Sequence, residues 1–181
     1  PDPLAAAQLY ARAWQKDRQP TAATSALYQW TRAKAWVPAE AFLASLSTED
    51  LARLDQHTGF LEQRANLHVA RGRSAEGGRD LQAALAMEPN NAWLRQAWMA
   101  WMVSYGEPAG LRRLLQEQRS VAVRQPDLWP LWGAGWNRLD APEQALPWLQ
   151  QHYRRKPDDL SALALADTLR AANQAEPARV L

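Results

Sequence analysis

The chain has 181 residues, of which 22% are charged, with a formal net charge of +2 and no cysteine. This near balance of charge argues against a dedicated nucleic-acid or membrane-surface binder. The lack of cysteine excludes disulfides and thiolate metal sites. No apolar run reaches the roughly 18 residues that a membrane-spanning helix needs. Because the chain begins at Pro1 without a methionine and ends at Leu181 inside a helical pattern, we expect it to be a segment of a longer protein.

Apolar residues recur at intervals of three and four along nearly the whole sequence, a spacing typical of amphipathic helices. Proline, glycine and asparagine interrupt this pattern repeatedly, and such residues commonly mark helix ends. The sequence therefore predicts an all-α chain of about six antiparallel helix pairs. The predicted helices cover residues 3–17, 20–35, 38–46, 48–57, 58–71, 74–87, 91–105, 108–123, 127–139, 142–155, 159–172 and 175–181.

A repeated pattern of large and small residues accompanies these helices, and residues 58–91 carry its most regular copy. The packing positions of this unit are Leu61, Ala65, Gly77, Ala84 and Pro89. Small residues are required where the two helices of a pair approach most closely, since a bulky side chain would push their axes apart. Pro89 closes the unit after its second helix.

Later segments repeat the pattern less regularly. Residues 129–159 form a shortened unit with Trp132, Ala145 and Pro157, and residues 160–181 form a partial unit with Ala166 and Ala178. Residues 92–128 fit a unit with an insertion, and residues 1–57 fit degenerate repeats. Trp136 occupies a position that is normally small, so we expect local repacking there. This pattern resembles the tetratricopeptide repeat family, which implies one continuous right-handed solenoid that works by binding proteins.

Catalytic and metal-binding motifs are not evident. The three histidines, His57, His68 and His152, are scattered, and none has a ligand-like partner one helical turn away. The paired acids Glu49–Asp50 and Asp158–Asp159 stand where helices begin, so capping explains them first. The sequence therefore predicts a non-catalytic protein without a cofactor or bound metal.

Ten tryptophans are the most unusual feature of the composition. Core packing explains most of them, since burying an indole ring of roughly 200 Å² at about 25 cal/mol per Å² is strongly favourable. Trp93 and Trp101 are the exceptions, because the repeat register places them nearer to a binding groove than to the contact between paired helices. We predict that both take part in binding, by contacting a protein partner or by stacking on a carbohydrate.

Polar groove positions and arginine clusters complete the candidate binding residues. Some tetratricopeptide modules clamp a C-terminal carboxylate with Lys and Asn, whereas the matching positions here are Glu62 and Asn66. An acid in place of the lysine predicts that this clamp is absent, although both residues remain candidates for contacting a partner. Arg112 and Arg113 fit either a solvated helix face or a surface that recognises an acidic protein or an anionic polymer.

Two short stretches are similar to a narrower group. Residues 39–47, AEAFLASLS, resemble a segment of cellulose-export repeat proteins, and residues 163–170, LALADTLR, followed by Asn173, resemble the last repeat of Pel-type exporters. Both groups secrete exopolysaccharide through the bacterial outer membrane. The resemblance implies a periplasmic scaffold that recruits a polysaccharide-modifying enzyme or guides the polymer to the pore. Direct polysaccharide binding through tryptophan faces and a cytosolic assembly or regulatory module remain alternatives.

Overall fold

A computed structural model describes residues 2–122, 124–125 and 128–174. Within these ranges all regular elements are helical, which confirms the predicted all-α class. None of the described helices is long and apolar enough to cross a membrane. Packing divides the chain into two compact units, Pro1–Trp98 and Met99–Leu181. The helices are α1 Pro3–Asp17, α2 Pro20–Arg32, α3 Trp36–Ala44, α4 Thr48–Leu54, α5 Thr58–Ala70, α6 Ser74–Met87, α7 Ala92–Tyr105, α8 Pro108–Glu117, α9 Arg119–Ala122, α10 Trp129–Arg138, α11 Leu146–Arg155 and α12 Asp159–Ala171.

The first unit begins with a tight helix pair, α1 and α2. Asp2 caps α1 by accepting a hydrogen bond from the Leu4 backbone N–H, and Pro20 starts α2 at a position where no helical N–H is needed. Arg18 ends α1 in the left-handed conformation, with φ of 52°. Small buried residues of α2, Ala22, Ala23 and Ala26, leave room in the core that also holds Trp14 of α1.

Two short helices, α3 and α4, follow and bring another aromatic side chain into the same core. Trp30 of α2 packs on Phe42 of α3, with ring centroids 5.4 Å apart. A capping box starts α4, in which Ser47 and Asp50 each accept a hydrogen bond from the other's backbone N–H. These contacts tie the two short helices to the longer ones.

The pair α5 and α6 is the most regular repeat of the first unit. Gly72 turns the chain between the two helices at a φ of 77°, a conformation that favours glycine. Gly77 then lies directly against α5, where an added Cβ would stand 2.9 Å from the Ala65 carbonyl oxygen and 2.8 Å from Val69. The absence of a side chain at Gly77 therefore permits the close approach of the two helices.

The second unit is built around indole rings of α10 and α11. Trp148 of α11 packs against Trp129 and Trp132 of α10, with centroid distances of 4.5 and 4.9 Å. Two glycines of α10 permit close approach of neighbouring helices. Gly133 lies against Leu149 and Thr168, and Gly135 lies against Leu115. Trp136 is 4% exposed despite its normally small repeat position.

Several predicted helix bounds need correction. The helix predicted over 108–123 divides at Gln118 into α8 and α9. Near this break the Leu115 carbonyl accepts a hydrogen bond from the Trp132 indole N–H at 3.1 Å. The end of α8 thus forms a tertiary hydrogen bond with α10. The helix predicted over 142–155 begins as a 3-10 turn, Pro142–Gln144, before α11. The helix predicted over 175–181 lies outside the described residues.

Candidate binding surfaces

Trp93 provides the most exposed aromatic surface of the first unit. This residue is 63% exposed at the start of α7. The indole Nε1–H donates to Glu62 Oε1 of α5 at 2.6 Å. Asn66 stands one helical turn beyond Glu62 on α5 and is exposed. The structure thus places three of the sequence-predicted binding residues in one neighbourhood.

The backbone around Trp93 is also fixed by local hydrogen bonds. Asn91 caps α7, and its Oδ1 accepts from the N–H groups of Trp93 and Leu94 at 3.0 and 3.2 Å. Glu88 accepts from both the Asn91 amide and the Thr58 hydroxyl, and these hydrogen bonds, Thr58 first, lower the pKa of Glu88. Hydrogen bonds therefore fix Trp93 at its backbone N–H and at its indole nitrogen.

A second site is a charged pocket of about 460 Å³ in the first unit. On one side Glu40 of α3 pairs with two arginines of the α5–α6 turn, at 2.8 Å to Arg73 and 3.2 Å to Arg71. The hydrogen bond from Arg73 is the main cause that lowers the pKa of Glu40. The pocket lining comprises Glu40, Leu43, Ala44, Leu51, Arg64, His68, Arg73, Glu76, Arg79 and Asp80.

His68 links two ion-pair groups in this pocket. Its Nδ1 accepts from Arg73 Nε at 3.0 Å, and its Nε2 lies 3.8 Å from Asp80 Oδ2. Asp80 in turn receives two hydrogen bonds from Arg64, each 2.8 Å long. Burial is the main cause that lowers the pKa of His68. The charge of Asp80 opposes this shift, and the charges of Arg73 and Arg64 add to it. His68 is thus favoured in its neutral form.

The remaining candidate residues lie in the second unit. Arg112 and Arg113 are both exposed on α8, and the Arg112 guanidinium stands 5.9 Å from the centre of the Trp136 ring. Trp101 is half-buried and packs on Tyr105 at 6.1 Å, so less of its ring is open to solvent than the ring of Trp93. A smaller cavity of about 200 Å³ lies between Leu115, Arg119 and the Trp132–Trp136 pair.

The predicted repeat-packing residues fall into two groups. The prolines that close repeats, Pro89 and Pro157, are exposed. Ala178 lies outside the described residues. The others are buried, and they are Leu61, Ala65, Gly77, Ala84, Trp132, Ala145 and Ala166. Among the described residues, no group of three His, Asp or Glu side chains is placed to hold a metal ion.

The charged pocket was not predicted as a site, although the sequence contains a signal for it. Polar contacts between successive repeats join residues separated by about one repeat length: Glu40–Arg73 spans 33 residues, Glu62–Trp93 31 and Arg18–Asp50 32. A search for complementary polar residues at this separation would have paired Glu40 with Arg73. When the sequence is read one position at a time, nothing indicates that His68 and Arg73 line the same pocket.

Comparison with known families agrees with this architecture. A tetratricopeptide repeat family model matches residues 1–181, and the chain belongs to that family. Among curated proteins, no relative matches the chain. Repeats of this family support a role in protein–protein interaction.

Proposed function

We propose that this tetratricopeptide repeat chain is a non-catalytic scaffold that binds a protein partner through the Trp93 surface, defined as Trp93, Glu62 and Asn66. The observation that carries this proposal is the 63% exposure of a tryptophan whose indole nitrogen is already held by Glu62. Tryptophan is enriched among the residues that dominate binding energy. An anchor that is held before binding loses less conformational entropy when the partner arrives.

Polar groups beside the ring complement this anchor. Asn66 can both donate and accept hydrogen bonds, and Glu62 keeps a second carboxylate oxygen beyond the one that accepts from Trp93. A protein segment could therefore place an apolar side chain on the indole ring and its backbone amides on the polar groups. Protein recruitment needs no reacting group, which agrees with the non-catalytic proposal.

We further propose that the chain acts in the bacterial periplasm, as part of an outer-membrane protein for exopolysaccharide secretion. The support is the similarity of residues 39–47 and 163–170 to segments of such exporters. In this setting the partner would be a periplasmic polysaccharide-modifying enzyme, or the repeats would guide the polymer to the pore. Fractionation of bacteria that carry the full-length gene tests this location, and recovery in the cytosol alone would contradict it.

Direct polysaccharide binding is the second candidate function, and the open face of Trp93 favours it. Sugar rings stack on exposed aromatic faces, and Trp93 offers more exposed ring than the half-buried Trp101. A neutral polymer would depend on the ring and ignore charge. A protein partner that uses Arg112 and Arg113 would instead lose association rate when those charges are reversed.

Binding titrations of three variants separate these candidates. For a protein partner that binds with about micromolar affinity, Trp93→Ala should weaken that binding at least tenfold. Trp101→Ala and the double variant Arg112→Glu/Arg113→Glu test the other predicted residues, with melting curves to verify that each protein remains folded. If Trp93→Ala abolishes oligosaccharide binding and leaves protein binding unchanged, the polysaccharide function replaces the protein-binding one. If the unaltered protein binds neither class, the Trp93 surface is not a binding site.

A further inference from the structure

The charged pocket of the first unit has features of a second recognition site, separate from the Trp93 surface. Its lining comes from α3, α4, α5 and α6 and from Arg73 in the turn before α6, all within the first unit. Its volume of about 460 Å³ lies in the usual range for small-ligand sites. A cavity of this size is large enough to receive one or two side chains of a partner.

The deepest charges of the pocket are already paired. Arg64 binds Asp80 through two hydrogen bonds of 2.8 Å, and its third nitrogen lies 2.8 Å from Asp55. The side chains of Arg64 and Asp80 are only 16% and 12% exposed. Breaking this pair would leave a buried charge without compensation, which is costly. Arg64 and Asp80 therefore form a structural floor rather than a ligand contact.

The rim of the pocket has guanidinium groups with donors to spare. Arg79 is exposed and forms no ion pair or hydrogen bond with the part of the chain that the structure describes. Arg73 uses Nε on His68 and Nη1 on Glu40, and no described group accepts from its Nη2. Arg71 and Arg73 also share the single carboxylate of Glu40. The rim therefore carries unused guanidinium donors that an incoming anion can accept from, beside the carboxylate of Glu76, which also has no hydrogen bond or ion pair with the described residues.

The charge of that anion is limited by the acids of the pocket. Glu40, Glu76 and Asp80 all line it, and they balance its three arginines. A doubly charged phosphate would meet repulsion from these carboxylates, whereas a single carboxylate needs only one free guanidinium fork. The wall beside the charges is apolar and consists of Leu43, Ala44 and Leu51. The ligand chemistry that fits is therefore a carboxylate next to an aliphatic group.

We propose that this pocket binds an acidic side chain, Asp or Glu, of a partner protein, with a neighbouring aliphatic residue packed on Leu43 and Leu51. Arg79 is the primary anchor and Arg73 assists through Nη2. His68 keeps Arg73 in place by accepting from its Nε at 3.0 Å. The pocket would then add a charge-dependent contact to a scaffold whose Trp93 surface supplies an aromatic one.

The test compares two matched peptides with the unaltered chain. N-acetyl-leucyl-glutamate amide carries the carboxylate, and N-acetyl-leucyl-glutamine amide has the same shape without the charge. NMR titration at pH 7.5 should show shifts of pocket amides with the first peptide, at a dissociation constant in the low millimolar range, about 1–10 mM. The glutamine peptide should bind at least about fivefold more weakly, because charge-assisted hydrogen bonds are roughly twice as strong as neutral ones.

Variants then assign the contact. Arg79→Ala alters an exposed side chain, so the variant should keep the fold. It should weaken binding of the glutamate peptide at least about fivefold. Arg12→Ala removes an exposed arginine of α1 and should bind as the unaltered chain does. Trp93→Ala should also leave this binding unchanged, so failure of the Trp93 surface and failure of the pocket can be distinguished. Equal binding of the two peptides, no shift at about 20 mM, or full binding by Arg79→Ala would each overturn the proposal.

Discussion

The close approach of α5 and α6 at Gly77 gives a sharp test of the repeat packing. An added methyl group would stand 2.8 Å from Val69 Cγ2 and 2.9 Å from the Ala65 carbonyl oxygen. The carbonyl belongs to the backbone of α5, so the two helices must separate to admit the methyl group. Overpacking of this kind costs about 1–3 kcal/mol, and alanine regains about 1 kcal/mol through its better helix propensity. Because the backbone is involved, we expect Gly77→Ala to destabilise by about 1–2 kcal/mol.

Gly59→Ala is the matched control for this prediction. It makes the same chemical change in α5, but the nearest atom to the added methyl is Thr24 Cγ2 at 3.4 Å, an ordinary contact. We expect this variant to be unchanged or more stable by up to about 1 kcal/mol. Urea denaturation followed by circular dichroism measures both variants. If Gly77→Ala is as stable as Gly59→Ala, the close approach of α5 and α6 does not require glycine at position 77.

Three further predictions follow from single contacts. Burial lowers the pKa of His68 below its usual value of about 6.5, so the unfolded chain binds more protons, and the free energy of unfolding should fall as pH drops from about 7.5 to 5.5. His68→Gln should reduce this dependence of the free energy of unfolding on pH, measured from denaturation curves. An unchanged dependence would mean that other groups cause it. Arg138→Ala removes donors from the carbonyls of Met102 and Gly106, each at 2.7 Å. It should lower the melting temperature more than Arg113→Ala, because Arg113 is exposed as well but makes no hydrogen bond with the described residues. Ser47→Ala removes the cap of α4 and should cost about 1 kcal/mol in urea denaturation, whereas Ser47→Asp, which can still cap, should cost less.

Helix positions could be predicted well because local chemistry determines them. Pro3, Pro20 and Pro108 each start a helix, and the predicted and observed starts agree there. Proline has no backbone N–H, so it is tolerated in the first turn and marks that turn clearly. The break at Gln118 could not be predicted in the same way. It coincides with a hydrogen bond from Trp132 to the Leu115 carbonyl, and the partners of this bond are 17 residues apart.

The candidate surfaces depended on contacts that single positions do not reveal. Repeat register placed Glu62 and Trp93 near a groove, but the hydrogen bond between them follows from the packing of α7 beside α5. Trp136 similarly occupies a small position of the repeat pattern, yet it is buried, and the close approaches on this helix are made by Gly133 and Gly135 instead. Its size had to be accommodated by neighbours that the family pattern does not specify.

Photo-crosslinking tests the central claim, that the Trp93 surface binds a protein, most directly. A photoreactive phenylalanine analogue replaces Asn66 in the full-length protein within its own cells, and the same analogue at Gln82, exposed on α6, is the control. We expect a discrete protein adduct from position 66 that mass spectrometry can identify and that Trp93→Ala removes. Adducts of equal yield from both positions, or an adduct from position 66 that persists in Trp93→Ala, would contradict a binding surface centred on Trp93.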